Sequence, residues 1–84
     1  MELVVLTPEK EVFSGKVSSV RVPGAVGRFE VKNGHAPIVA SLKAGPVHIT
    51  TEAGETLNYN VKRGFIEVIN NEVALLIQGI SELH

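Results

Sequence analysis

Histidines are the residues of this sequence best suited to proton transfer or metal binding, and it contains three of them. His35 follows the turn dipeptide Asn33-Gly34, whereas His48 lies in a segment where polar and apolar residues alternate. His84 is distant from both, and the spacings do not match those of zinc ligands, so we predict no metal site. His35 is either a loop histidine that faces solvent or caps nearby carbonyls, or a contact residue, because binding residues concentrate on loops.

The acidic residues exclude several kinds of active site. All nine are glutamates, and the sequence contains neither aspartate nor cysteine. This composition excludes a Ser-His-Asp triad, a cysteine nucleophile and aspartate-rich metal loops. A Ser-His-Glu arrangement could use His35 or His48, but no Gly-x-Ser-x-Gly segment is present to expose a serine. We predict that the chain is not an enzyme and has no cofactor.

Lys43 and the pair Lys62-Arg63 are the basic residues that could carry a function. Lys43 stands between Leu42 and Ala44 in a predicted turn between strands. Lipoyl and biotinyl carrier domains are all-β proteins with a modified lysine at a hairpin tip, but they place an acidic residue or a methionine beside it. A carrier domain modified at Lys43 is therefore the alternative function, next to an ordinary surface lysine. Lys62-Arg63 is interpreted as a charged surface turn rather than an anion site.

Charge and length limit the class of protein further. With 84 residues and a net charge of −1, the chain lacks the basic surface that binds nucleic acid or an anionic membrane. The uncharged stretch Val73–Ser81 is far shorter than the ~20 apolar residues of a spanning helix. The start of the sequence has no basic segment typical of a signal peptide. We expect a single domain over residues 1–84 that is soluble when isolated.

Apolar and polar residues alternate with period two through most of the chain, which is typical of β-strands. The alternation is clearest in two predicted hairpins, residues 47–61 around Glu52–Glu55 and residues 65–78 around Asn70-Asn71. Helical spacing is not sustained for three turns anywhere, and only Ile80–His84 could start a helix. The pattern predicts an all-β fold, a small antiparallel β-sandwich of about eight to ten short strands.

The alternation also predicts which side chains are buried. In Val17–Val22, the even-numbered residues are expected on one face of a strand and the odd-numbered residues on the other. Arg28 and Glu30 are expected to point outward, because they alternate with the apolar Phe29. The aromatic residues are expected in the core rather than on a base-stacking surface. They are Phe13, Phe29, Tyr59 and Phe65.

Five short segments carry turn and strand residues in a specific order. They are Thr7–Gly15, Val20–Gly27, Gly34–Pro37, Arg63–Val68 and Asn71–Leu76. The first contains a Thr-Pro turn, the second a Pro-Gly-x-x-Gly turn, and the third is Gly-His-Ala-Pro followed by an apolar strand. Together they resemble the amino-terminal domain of the ATP synthase epsilon subunit, which is called delta in mitochondria. The chain is identified as a member of that family by this resemblance.

The resemblance implies a non-catalytic subunit in the rotor stalk of a proton-translocating rotary ATP synthase. Such a subunit would bind the gamma subunit, rest on the ring of c subunits, and couple proton flow to catalysis in the alpha–beta hexamer. It would meet the membrane only through this complex, at the cytoplasmic face of the bacterial inner membrane. Neither a cofactor nor a nucleic-acid partner is implied.

The resemblance also assigns contact positions. Those on the gamma side are Thr7, Gly34, His35, Ala36, Pro37 and Ala40. Arg28 and Glu30 match the region that faces the c ring, although many members of the family have an acidic residue where Arg28 stands. The family usually continues into a helical hairpin that can inhibit hydrolysis, whereas this sequence stops at His84. Either the natural protein is a short form or this sequence is part of a longer one; no inhibitory role is expected in the first case.

Overall fold

Seven β-strands make up residues 1–82, the part of the chain that the computed structural model describes. In chain order, β1 to β7 are Glu2–Leu6, Glu11–Pro23, Arg28–Lys32, Ile38–Leu42, Gly45–Thr51, Thr56–Ile69 and Glu72–Glu82. The predicted all-β class is confirmed, and residues 1–82 contain no helix that could cross a membrane. The strands are fewer than expected because β2 continues through Gly15, and β6 through Gly64, where the sequence indicated breaks.

The strands form one sheet that closes on itself into a flattened barrel. Its order is β1-β7-β6-β5-β2-β3, with β1 also paired to β2 and β4 paired to β6. The pairs are antiparallel except for β1 with β7, which is parallel. The long strands β2 and β6 contribute to both layers. Layer A consists of β4, the second half of β6, β7, β1 and the first half of β2; layer B consists of β3, the second half of β2, β5 and the first half of β6.

The core between the two layers is aliphatic and takes side chains from all seven strands. Phe13, Phe29 and Tyr59 are half-buried and pack against it, close to their predicted core positions. Phe65 differs, because its side chain is 53% exposed. Its neighbour Ile66 takes the inward position and is fully buried, so Phe65 points outward. The prediction that Phe65 lies in the core is therefore wrong.

A β-bulge interrupts the alternation in β2. The pairing of β2 with β5 shifts register between Val17 and Ser19, and such a shift changes the side that the flanking side chains face. As a result Val17 lies in the core together with Val20 and Val22. Strict even–odd alternation, which put Val17 on the opposite face, is wrong at this residue.

The two predicted hairpins are confirmed as β5–β6 and β6–β7. In the turn of the second, Asn70 and Asn71 have φ angles of 49° and 62°, a left-handed conformation that asparagine tolerates better than most residues. Ile80 continues β7 opposite Val61 and packs against the core, so the one segment that could have started a helix is a strand up to Glu82. His84, the third histidine considered in the sequence analysis, lies outside the described residues.

Candidate interaction surfaces

The outward side of layer A is apolar. Strand pairing places Phe65 between Ser41 and Leu76. The exposed fractions of the large side chains on this side are 70% for Val39, 53% for Phe65, 49% for Ile69 and 45% for Leu76. Large apolar side chains exposed together in one patch are typical of an interaction surface. We call this patch the apolar face; its members are Val4, Leu6, Val39, Phe65, Ile69, Ala74 and Leu76.

A groove crosses one end of the apolar face, next to the β1–β2 turn. Its volume is about 570 Å³, and Leu6, Phe65 and Leu76 are among the residues that line it. Arg63 also lines the groove, within β6 rather than in the charged turn expected from the sequence. Its Nε donates a hydrogen bond of 2.6 Å to Gln78 Oε1 on β7. This bond gives the positive charge a fixed place beside the groove.

Glutamates lie within the apolar face and at its opposite end. Glu67 pairs with Val39 of β4, and Glu72 pairs with Glu2 of β1. All three carboxylates are exposed. The apolar face therefore has an acidic border of Glu2 and Glu72 at one end, Arg63 at the other, and Glu67 between Val39 and Ala74, a charge distribution that can orient a docking partner.

The outward side of layer B is polar. One row across it consists of Glu30, Arg21, His48 and Asn58, contributed by four neighbouring strands. His48 is half-buried, and its Nδ1 is hydrogen-bonded to Asn58 Oδ1 at 2.5 Å. His48 is thus part of the polar surface of the sheet, as its alternation predicted. The two outer sides of the barrel consequently have opposite chemical character.

Arg28 and Glu30, the positions expected to face the c ring, lie on β3 at the edge of layer B. Both side chains are exposed, as the alternation predicted. Arg28 Nη1 donates a hydrogen bond of 2.9 Å to the carbonyl oxygen of Pro46, which links the start of β3 to β5. Glu30 lies 3.7 Å from the Lys32 ammonium, and an exposed ion pair of this kind contributes little to stability.

The loop Gly34–Pro37 connects β3 of layer B to β4 of layer A. Gly34 has a φ of 79°, which glycine adopts without steric cost. The His35 N–H donates to the Lys32 carbonyl at 3.1 Å, and its Nδ1 donates to the Ala36 carbonyl at 2.7 Å. Of the alternatives for His35, the structure therefore shows the one in which it caps nearby carbonyls. The last two residues of the loop are exposed.

Thr7 and Ala40, the other positions expected on the gamma side, differ in accessibility. Thr7 closes the β1–β2 turn, because its N–H and Oγ1 donate to the Lys10 carbonyl at 2.9 and 3.2 Å, and it also lines the groove. Ala40 is half-buried against the core and does not belong to the apolar face. The exposed apolar residue of that strand is Val39, which sequence analysis missed although its alternation with Ile38 carried the signal.

The expected contact residues form two groups in the structure. Thr7 lies beside the groove at one end of the apolar face, and Pro37 lies against its β4 edge. Arg28 and Glu30 lie on the other layer. The apolar face itself was missed, because the aromatic ring of Phe65 was assigned to the core.

Comparison with known proteins assigns the chain to a family. The family described as "ATP synthase, Delta/Epsilon chain, beta-sandwich domain" matches residues 1–82. The chain belongs to this family. The resemblance found in the sequence is thereby confirmed, and the fold agrees with the β-sandwich of the family. The epsilon chain is a non-catalytic subunit of the ATP synthase complex, so the surfaces described above matter for contacts and not for catalysis.

Two curated relatives illustrate how much of each protein is shared. The ATP synthase epsilon chain of Chlorobium limicola is 39% identical over 80 residues, which cover 95% of this chain and 91% of that protein. The ATP synthase epsilon chain of Protochlamydia amoebophila is 40% identical over 81 residues, which cover 96% of this chain but 55% of that protein. The chain therefore spans nearly all of one relative and about half of the other.

Two solved structures share the fold. A chain in the mitochondrial ATP synthase of Euglena gracilis (OSCP/F1/c-ring) has a TM-score of 0.89 and 20% identity, with 95% of this chain and 51% of that chain covered. A chain in the central stalk and c ring of the Tetrahymena thermophila mitochondrial ATP synthase has a TM-score of 0.81 and 16% identity. In that comparison 95% of this chain and 64% of that chain are covered. At these identities the likeness concerns the fold.

The alternative function as a carrier domain has no support from these comparisons. Lys43 is exposed in the β4–β5 connection, and its backbone N–H donates to the Pro23 carbonyl at 2.9 Å. This backbone bond fixes the connection against the end of β2. Lys43 is accordingly interpreted as a surface lysine.

Proposed function

We propose that this chain is a rotor-stalk subunit of a proton-translocating rotary ATP synthase, in which it binds the gamma subunit and the c ring. It couples proton flow to ATP synthesis in the alpha–beta hexamer and is attached through the complex to the cytoplasmic face of the bacterial inner membrane. The apolar face is the observation that carries the gamma part of this proposal. Its exposed side chains are not part of the core, so their exposure is explained best by a partner that covers them.

Several features make the apolar face suitable for gamma. Phe65 lies at the groove end of this face, and Arg63 lies beside the groove; aromatic residues and arginine are enriched among the residues that dominate binding energy at interfaces. Thr7 and the loop Gly34–Pro37, which the family resemblance assigns to gamma, lie at its border. The acidic border and Arg63 would fix the orientation of the partner.

Replacement of Phe65 by threonine tests this interface. Threonine keeps a high strand propensity, and Phe65 contributes little to the core, so the fold should remain intact. We expect Phe65→Thr to weaken binding to the gamma subunit of the same organism by at least about tenfold, as for an aromatic side chain that fills a pocket of the partner. Surface plasmon resonance measures the dissociation constant, and thermal unfolding verifies the fold.

Asn60→Thr is the matched control, because Asn60 is also exposed on β6 but belongs to layer B. Its affinity for gamma should equal that of the wild type. Unchanged affinity in Phe65→Thr, or an equal loss in both variants, would contradict a gamma site on the apolar face.

Arg28 and Glu30 carry the c-ring part of the proposal. Both are exposed on the edge strand β3, away from the apolar face, so a second partner can reach them while gamma is bound. An exposed charge at the rim of an interface acts mainly on association rate and salt dependence. We expect Arg28→Glu to reduce ATP-driven proton pumping by reconstituted vesicles, more at low than at high salt, and to leave gamma binding intact.

The same substitution also removes the hydrogen bond from Arg28 to the Pro46 carbonyl. Arg28→Gln controls for this effect, because it shortens the side chain and removes the charge without reversing it. Pumping that is unchanged by Arg28→Glu at every ionic strength would exclude a role of Arg28 at the c ring.

A further inference from the structure

We propose that Asn71, in the β6–β7 turn, positions the loop Gly34–Pro37 through its side-chain amide and thereby raises the affinity of the loop for gamma. The positioning concerns the isolated protein, whereas its effect on affinity rests on the function proposed above. The β6–β7 turn is far from this loop in sequence, and the family resemblance assigns it no contact role.

Four hydrogen bonds connect Asn71 and the residues next to the loop. Asn71 Oδ1 accepts a bond of 2.9 Å from the Gly34 N–H, and its Nδ2 donates to Asn33 Oδ1 at 3.4 Å. The same Asn33 oxygen accepts a bond of 2.7 Å from the Met1 nitrogen. The backbone carbonyl of Asn71 accepts a bond of 3.2 Å from the Glu2 N–H. A single turn residue thus joins the loop, β1 and the β6–β7 hairpin.

The side chain of Asn71 is not needed for the turn itself. Asn70 and Asn71 both have positive φ angles, and glycine adopts such angles at least as easily. What asparagine adds at position 71 is an amide that reaches the Gly34 N–H. The side chain of Asn70 makes no hydrogen bond to another residue within the described part of the chain.

The loop has few other restraints at its start. Within it, the His35 N–H and Nδ1 bond to the carbonyls of Lys32 and Ala36, both close in sequence. Proline at position 37 restricts Ala36 to extended conformations, which stiffens the end of the loop but not its beginning at Gly34. The Asn71 bond is the long-range contact at that beginning, and a loop held in one conformation loses less entropy on binding.

A pair of glycine variants separates this side-chain role from the turn. Asn71→Gly removes the amide and keeps the turn, whereas Asn70→Gly makes the same backbone change one residue earlier. Glycine increases the conformational entropy of the unfolded chain equally in both. We expect amide hydrogen exchange at Gly34, followed by NMR, to become roughly three- to tenfold faster in Asn71→Gly, the factor that corresponds to one ordinary hydrogen bond. Asn70→Gly should leave it unchanged.

Binding to gamma supplies the second measurement. Asn71→Gly should weaken affinity by a similar factor, because only the fraction of molecules with an ordered loop is competent to bind. Asn71→Asp keeps an acceptor for the Gly34 N–H and tolerates a positive φ, so it should restore slow exchange at Gly34 and most of the affinity. A purely structural role of position 71 would not be rescued in this way.

The two measurements test the positioning of the loop and its effect on gamma affinity separately. Equal exchange at Gly34 in the two glycine variants would overturn the positioning role. Faster exchange in Asn71→Gly with unchanged affinity would overturn the link to gamma. If the wild-type protein itself does not bind gamma, the proposed function fails, while the exchange data still test the contact between Asn71 and the loop.

Discussion

Tyr59 is a residue whose ionisation the fold alters. It pairs with Glu82 across β6 and β7 and is half-buried against the core. Burial, and to a lesser extent the Glu82 carboxylate, raise the pKa of its hydroxyl above the usual 10.0. The folded protein therefore keeps the tyrosine proton at pH values where the unfolded chain releases it.

Alkaline pH should destabilise the protein partly through this residue. Because the folded pKa is raised, the contribution of Tyr59 is fully present below the unfolded value of ~10 and is lost as the pH rises through the folded value. The melting temperature should fall less in Tyr59→Phe than in the wild type between about pH 8 and about pH 10.5. All other ionisable groups are common to both proteins, so the difference reports on Tyr59. An equal fall in both would contradict the assignment.

Sequence alone predicted the side on which some residues lie but not their partners. Arg28 and Glu30 point outward as expected, because β3 is a regular strand with a single apolar side. The hydrogen bond from Arg28 to Pro46 joins residues on two non-adjacent strands and has no local signal. Phe65 was misplaced because aromatic residues favour burial, whereas its register beside Ile66 decides the outcome.

At the scale of strands, β6 passes very close to β7 at Gly64. A Cβ atom at this position would lie against the Leu76 carbonyl oxygen and 2.9 Å from Ile77 Cδ1. Gly64→Ala should therefore force the two strands apart and lower the free energy of unfolding by about 1–3 kcal/mol, the usual cost of overpacking. Urea denaturation followed by circular dichroism measures this change.

Gly27→Ala provides the comparison for Gly64→Ala. No heavy atom lies within 4 Å of a Cβ built at Gly27, so its unfolding free energy should change by less than about 0.5 kcal/mol. A similar loss in both variants would show that crowding at Gly64 is not the cause.

Hairpins were the elements that sequence predicted best. Their turns, Glu52–Glu55 and Asn70-Asn71, contain the residues that cause them, so a local pattern suffices. Strand continuity through Gly15 and the bulge near Val17 depend on the partners of β2, which are distant in sequence. For the same reason the pairing that closes the barrel was not predicted.

For the molecule as a whole, stability depends on one core, so removal of a core side chain should have a large effect. Ile66 is fully buried, whereas Ile69, on the same strand, is 49% exposed. We expect Ile66→Ala to lower the unfolding free energy by about 2–5 kcal/mol and the melting temperature by at least about 10 °C for a domain of this size. Differential scanning calorimetry measures the melting temperature of this variant and of the control Ile69→Ala.

Ile69→Ala should lower the melting temperature far less, because Ile69 lies on the apolar face and not in the core. Its affinity for gamma should decrease instead. If the two variants were destabilised equally, the outward orientation of Ile69 would be wrong.

The fold class could be predicted from the sequence because period two dominates nearly every segment. The apolar face could not, because strands of layer A carry apolar residues on both sides. Leu3–Leu6 and Ala74–Ile77 are continuous apolar runs. Such runs do not indicate which side of the strand packs against the core. The pairing of the strands supplies that information.

The parallel pairing of β1 with β7 has a consequence for the synthesis of the protein. As the chain leaves the ribosome, β1 emerges first, and its parallel partner becomes available only after the five strands between them. Contacts between segments so distant in sequence form late in folding. Because Leu6 of β1 and Leu76 of β7 are neighbours on the apolar face, that surface does not exist until translation has passed β7. A partner that recognises it can therefore bind only chains that have been synthesised past β7, whereas the polar layer B consists of strands that are all synthesised earlier.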